Sequence, residues 1–134
     1  MATLKTIEGI GPAYAEKLKE AGIRGVNSLL NAGATKKGRT EIAKKSDISE
    51  KLILEWVNHC DLFRLTGVGG EYADLLEEAG VDSIPELAKR KADALHKKLT
   101  ETNLEKKLVR SLPSLERVEG WIEEAKSLPR VVEH

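Results

Sequence analysis

Two glycine pairs are the residues of this sequence best suited to chemistry. Gly9 and Gly11 flank Ile10, while Gly67 and Gly69 flank Val68, with Gly70 directly after the second pair. Glycines one residue apart allow a tight turn with positive φ and leave the backbone bare of side chains. Where such a turn enters a helix, the unbonded N–H groups and the positive end of the helix dipole favour an anion such as a phosphate oxygen. The first pair runs into Pro12, Ala13, Tyr14 and Ala15, followed by Lys17 and Leu18. Pro12 suits a first helical position, where its missing N–H is harmless. The expected chemistry is therefore anion recognition by backbone amides with lysine support, at Gly9, Ile10, Gly11, Pro12, Ala13 and Lys17.

Catalysis finds less support. His59 and Cys60 are adjacent, so on a helix they diverge and make a poor metal pair, and His96 and His134 lie far off in sequence. Acidic residues are plentiful, yet none joins a recognisable nucleophile, base or phosphate loop. No catalytic residue, metal or cofactor is expected. The lone Cys60 has no partner for an internal disulfide, and no stretch approaches the ~18 apolar residues of a membrane span or the apolar core of a signal peptide. A cytoplasmic, non-membrane protein is the expectation.

The elements that must position these turns follow from composition and pattern. Of 134 residues, 40% are apolar and 33% charged, enough for a buried core. Only 4% are aromatic, Leu, Ala, Glu and Lys abound, and no segment alternates with period two, so the fold class expected is all-α. An internal repeat organises the chain. The run Ile7 to Ala15 recurs as Leu65 to Ala73, and the register continues through Leu18/Leu76, Gly22/Gly80, Val26/Ile84 and Leu29/Leu87. Ser46, Ser49, Ile53, Trp56 and Val57 then match Ser111, Ser114, Val118, Trp121 and Ile122, where the offset has risen from 58 to 65, placing seven extra residues within Leu99 to Leu108. Two copies, 1–61 and 62–134, are expected to share a core as a pseudo-twofold domain.

Helices are expected near 12–21, 38–46, 49–61, 70–79, 91–101, 104–110 and 114–127, with further starts at Gly25 and at Ser83, the latter as a capping box in which Glu86 reaches back. Only eight residues precede the first hairpin, too few for a stable helix. The helix at 114–127, with Val118, Trp121, Ile122 and Ala125 on one stripe, is therefore expected to cover Ile7, Ile10, Ala15 and Leu18. Both tryptophans read as core. Tyr14 and Tyr72 could stack on a base or pack within the repeat.

The run Gly9 to Leu18 resembles the helix-hairpin-helix motif, and Lys45 to Lys51 resembles a second hairpin whose glycines have been replaced. Over nearly its whole length the chain resembles an uncharacterised bacterial family of unknown function that carries paired helix-hairpin-helix repeats. The resemblance implies sequence-independent DNA binding, with hairpin nitrogens on phosphates and nearby Lys or Arg adding charge. Two positions depart from that pattern: just after the hairpin, where active motifs often carry Lys or Arg, stand Ala13 and Glu71. A carboxylate at a phosphate site is unfavourable, so Gly67, Val68, Gly69 and Gly70 read as a structural hairpin.

The 22 basic and 22 acidic residues cancel, but residues 1–58 carry ten Lys/Arg against seven Asp/Glu, making the first part +3 and the remainder −3. Lys5, Lys17, Lys19 and Arg24 lie near the first hairpin in sequence, with Lys36, Lys37, Arg39, Lys44 and Lys45 further along. They either face phosphates or form a solvated surface. From Asp61 to Glu86, seven carboxylates accompany Arg64 alone, which disfavours a phosphate backbone there. Two functions remain open: a DNA-binding module, or a protein-interaction or self-association module driven by the charge asymmetry.

Overall fold

The computed structural model describes residues 3–134 and divides them into two compact units. Every regular element among the described residues is helical, and no strand forms. No described helix is long and apolar enough to cross a membrane. The first unit holds a 3-10 turn (Leu4–Thr6), α1 (Pro12–Glu20), α2 (Val26–Ala32), α3 (Lys36–Ser46) and α4 (Glu50–Leu62). The second holds α5 (Gly70–Glu78), α6 (Ile84–Ala88), α7 (Ala92–Lys106) and α8 (Leu115–Ser127). Residues up to Asp61 together with Val131–His134 make the first unit, and Leu62–Arg130 the second. The sequence reading assigns 131–134 to the later copy. They belong with the first unit because Val132 is buried and the buried Arg39 uses Glu133 as a hydrogen-bond acceptor.

In the first unit, a 3-10 turn precedes the first hairpin, and Thr6 Oγ1 steadies it by accepting from the Thr3 N–H at 3.2 Å. α1 starts at Pro12 behind Gly11 and ends in a left-handed Gly22 (φ +89). There Ile23 N–H donates back to Leu18 O at 2.8 Å, satisfying an otherwise orphaned carbonyl. α2 opens at Gly25, whose N–H donates to Ser28 Oγ at 3.1 Å. Thr35 caps α3 through Gly38 N–H at 3.0 Å, and Ser49 caps α4 through Leu52 N–H at 3.3 Å. On α4, Ile53, Trp56, Val57 and Cys60 form the buried stripe at i, i+3, i+4 and i+7.

Close helix approach in this unit depends on missing side chains. A Cβ on Gly38 would collide with the Ala32 carbonyl oxygen, and one on Gly33 with the Val57 methyl. Gly38→Ala is expected to destabilise by about 1–3 kcal/mol or more in a urea melt, because backbone must move. Gly120→Ala on α8, where a Cβ meets nothing within 4 Å, is the control and should be neutral or stabilising by up to ~1 kcal/mol. Equal melts for the two variants would contradict the close-packing account.

In the second unit, Leu62, Leu65, Val68, Leu75, Leu76, Val81, Ile84, Leu87, Leu95 and Leu99 form one core with Val118, Trp121, Ile122 and Ala125 of α8. α8 packs on α6 and α7. The expectation that this helix covers Ile7, Ile10, Ala15 and Leu18 is corrected: its apolar stripe is buried in its own unit, and the first hairpin is backed by Trp56 of α4. The two helices expected at 91–101 and 104–110 are also one, α7, which continues to Lys106 and stops where Lys107 turns left-handed (φ 52). Of the extra residues, part lengthens α7 to 15 residues against 11 in α3, and part forms the return segment 108–113. Asn103 braces that return by pairing with both backbone groups of Val109, at 2.9 and 3.3 Å. Ser83 caps α6 through Glu86 N–H at 3.3 Å, but the reciprocal half of the box is missing, since the Glu86 carboxylate takes Arg90 Nε at 3.1 Å.

Candidate nucleic-acid interface

The first hairpin is built by closing Ile7 to Pro12 around one left-handed residue. Gly9 adopts φ +93, and Ile10 N–H donates to Ile7 O at 3.2 Å. Ile7 and Ile10 are buried, which anchors the turn from below and leaves Gly9, Gly11, Pro12 and Ala13 exposed above. Gly11 is extended (φ −89, ψ −175) and offers α1 no side-chain cap. The first amides of α1 therefore face outward without a side-chain acceptor at the N-cap, as an anion site requires. Beneath the turn a Cβ on Gly9 would lie 3.4 Å from Trp56 Nε1, so the indole is in contact with the hairpin backbone.

The aromatic residues divide between core and rim. Trp56 and Trp121 are only 2% and 3% exposed, in keeping with the core reading. Tyr14 stands edge-on to Trp56 with ring centroids 5.1 Å apart, and Tyr72 is tilted against Trp121 at 5.4 Å. Both tyrosines are half-buried, each ring held by the tryptophan of its own unit.

The basic residues named from sequence separate into four groups. Lys5, Lys19 and Arg24 line one groove of about 590 Å³ with Thr3, Leu4, Pro12, Ala15 and Glu16, so three cations face one carboxylate beside the first hairpin. Pro12, Ala15, Glu16 and Lys19 share that face of α1, whereas Lys17 stands one turn after Ala13 on the neighbouring face. Lys36, Lys37, Lys44 and Lys45 are exposed on α3. Arg39 is removed from the surface altogether: it is 4% exposed and donates to Gly33 O at 2.8 Å, Ala34 O at 3.3 Å and Glu133 O at 2.7 Å. A buried guanidinium with its donors on three backbone carbonyls is structural, and no charge count along the sequence distinguishes it from its neighbours.

The second hairpin repeats the turn with different surroundings. Gly67 has φ +81, Val68 is buried and donates to Leu65 O at 3.3 Å, and Gly69 precedes Gly70 at the start of α5. Trp121 Nε1 donates to Thr66 O at 3.2 Å, while the Glu124 carboxylate takes the Thr66 N–H and hydroxyl at 2.9 and 3.0 Å. Arg117 of α8 lies over the Tyr72 and Trp121 rings at 5.4 and 6.0 Å, with Nη2 3.0 Å from where a Gly67 Cβ would stand. Sequence reasoning missed this cation beside the hairpin that also carries Glu71. Its signal was the Arg117/Trp121 spacing of i, i+4 on α8. Two carboxylates of the acidic stretch are also paired, Glu78 with Lys106 at 2.8 Å and Glu86 with Arg90 at 3.1 Å.

A third turn has the same build without glycine. Asp47 is left-handed (φ 57), Ile48 is buried and Ser49 caps α4, matching the order of positive φ, apolar anchor and N-cap at Gly9, Ile10 and Gly11. Asp tolerates the left-handed region better than most residues, which is why the replaced glycine leaves the geometry in place.

A family model described as a domain of unknown function (DUF4332) matches residues 8–128, a span that takes in all three turns. The chain belongs to this family. No curated protein and no solved structure matches it. Within this DUF4332 chain the thiol is poorly suited to chemistry: Cys60 is buried, and burial, with the neighbouring Asp61 charge adding to it, pushes its pKa up to about 12. Thiolate is the form that attacks or ligates, so Cys60 is held in its inert state.

Proposed function

We propose that the chain is a non-enzymatic binding module, made of two divergent helix-hairpin-helix repeats, that holds the phosphate backbone of DNA without reading its sequence. The contact is centred on Gly9, Ile10, Gly11, Pro12 and Ala13, with Lys17 at its flank. The observation that carries this reading is the uncapped start of α1, exposed beside a groove where Lys5, Lys19 and Arg24 outnumber Glu16. Beyond the exposed Glu8, the stretch from Gly9 to Ala13 presents backbone and uncharged residues with no long polar side chain to reach base edges, which favours phosphate positioning over base readout.

Ala13→Glu places a carboxylate where the second hairpin has Glu71. It should weaken binding to a short DNA duplex about tenfold at low salt while leaving the helical circular dichroism unchanged. Wild-type affinity should fall steeply as salt rises, since phosphate contacts release counterions. Unchanged affinity in the variant removes the first hairpin as the site. Absence of duplex binding at low salt would instead favour a protein-interaction module, a second reading supported by the +3 and −3 parts of the chain and by Glu71 exposed at the start of α5.

A further inference from the structure

Residues 131–134 sit in the first unit as a docked peptide. Val132 is 1% exposed. The Glu133 N–H donates to Ala34 O at 2.7 Å, and Glu133 O accepts from Arg39 Nη2 at 2.7 Å. His134 Nε2 lies 2.9 Å from Asn58 Oδ1. One anchored apolar side chain combined with main-chain hydrogen bonds is how extended peptides are held by folded receptors. The receptor has its own support, because Arg39 is also fixed by Gly33 O and Ala34 O, both outside the segment.

The route by which the segment arrives separates it from its receptor. The chain leaves the first unit at Asp61, builds the whole second unit, and re-enters only at Val131. Between the end of α8 at Ser127 and the docked residues stand Leu128, Pro129 and Arg130. Leu128 is extended, and Pro129 O accepts from Arg64 Nη2 at 2.7 Å. Pro129 limits the paths available to so short a linker. A segment held by one apolar side chain and main-chain bonds in a receptor built from a distant part of the chain can make the same contacts in a second molecule, which is the condition for exchange between copies.

We propose that residues 131–134 are a docking peptide and that the slot formed by Ala34, Arg39 and Asn58 accepts this segment from a second copy of the chain, linking copies by exchange. The occupant is recognised by its backbone at position 133 and its valine at position 132. Docking within one molecule competes with exchange, so the linked form grows as protein concentration approaches the effective concentration of the tethered segment, in the millimolar range for short linkers. The inference is independent of the DNA reading.

The test uses the full chain. Val132→Asp brings a carboxylate to a buried site and evicts the segment while leaving the slot residues intact. A fluorescent synthetic peptide of residues 128–134 should then bind this variant at least about tenfold more tightly than the wild type, whose slot is already filled. The same peptide carrying Val132→Asp should not bind. In light scattering, wild type should pass from monomer to dimer with concentration while the variant stays monomeric. Should Val132→Asp lose its helical signal, Val132→Ser gives the same comparison. A folded variant that ignores the peptide overturns the slot, and peptide binding with a wild type that remains monomeric at every concentration overturns the exchange.

Discussion

Trp56→Ala should lower the unfolding free energy by about 3–5 kcal/mol, the range for removing a large aromatic from a core. The indole is nearly fully buried, meets Tyr14 edge-on at 5.1 Å, and lies 3.4 Å from where a Gly9 Cβ would stand. Small domains have only about 5–15 kcal/mol in total, so the variant should lose a large share of its margin. Because the ring supports the hairpin from below, amide exchange at Gly11 and Ala13 should accelerate along with the global loss. Trp56→Phe, which retains an aromatic face, should recover most of the stability. A loss below about 1 kcal/mol for Trp56→Ala would mean that the indole is not a core residue.

The thiol of Cys60 should react with a disulfide reagent about a thousandfold more slowly in the native chain than in urea at pH 8, on the thiolate fraction alone. Its pKa is raised from 9.0 to about 12, first by burial and then by Asp61. A raised thiol pKa means that the fold prefers the neutral form. The unfolded chain loses that proton near pH 9 while the folded chain keeps it until about pH 12. The contribution of Cys60 to stability is therefore complete below pH 9 and is lost as pH rises from there towards 12. Urea melts at pH 7.5 and 10.5 should show a decline that is shallower in Cys60→Ala, which has no thiol to titrate. Identical declines, or rapid native labelling, would mean that the thiol is not held neutral by the fold.

What the sequence makes legible here is mostly local. Gly9, Gly22, Gly67 and Gly80 all take positive φ because few other residues can, and Ser49, Ser83 and Ser114 all cap helices because a hydroxyl accepts the amide hydrogens there. These signals need no knowledge of distant neighbours. The buried stripes of α4 and α8 are legible for a similar reason, since their spacing is a property of one helix. What they pack against is not. Val118, Trp121, Ile122 and Ala125 would fit either hairpin equally well by pattern, and tertiary packing places them on the second. Arg39 and Arg117 look alike in sequence, yet one is buried on three carbonyls and the other lies exposed over two rings. The docked position of Val132 depends on a slot nearly a hundred residues earlier in the chain, and no local window contains both. Thr100, Thr102 and Asn103 are weak helix formers by propensity, yet α7 continues through them. In the structure the hydroxyls of Thr100 and Thr102 fold back on His96 O and Lys98 O within the helix.

The lengthening of α7 relative to α3 constrains how chains of this family can vary. Fifteen residues against eleven is a difference of four, close to one turn of about 3.6 residues, so a helix extended in this way keeps the same side facing inward. An insertion of two would rotate everything beyond it by roughly half a turn and bring lysines to the core. The added turn also carries the helix end outward by about 6 Å, a distance that the chain must retrace before α8 can begin. Length in this region should therefore change in whole turns, and each turn gained should come with extra residues in the returning strand of chain. A relative with a longer α7 and no longer return would have to start its tryptophan helix away from the hairpin that the helix supports.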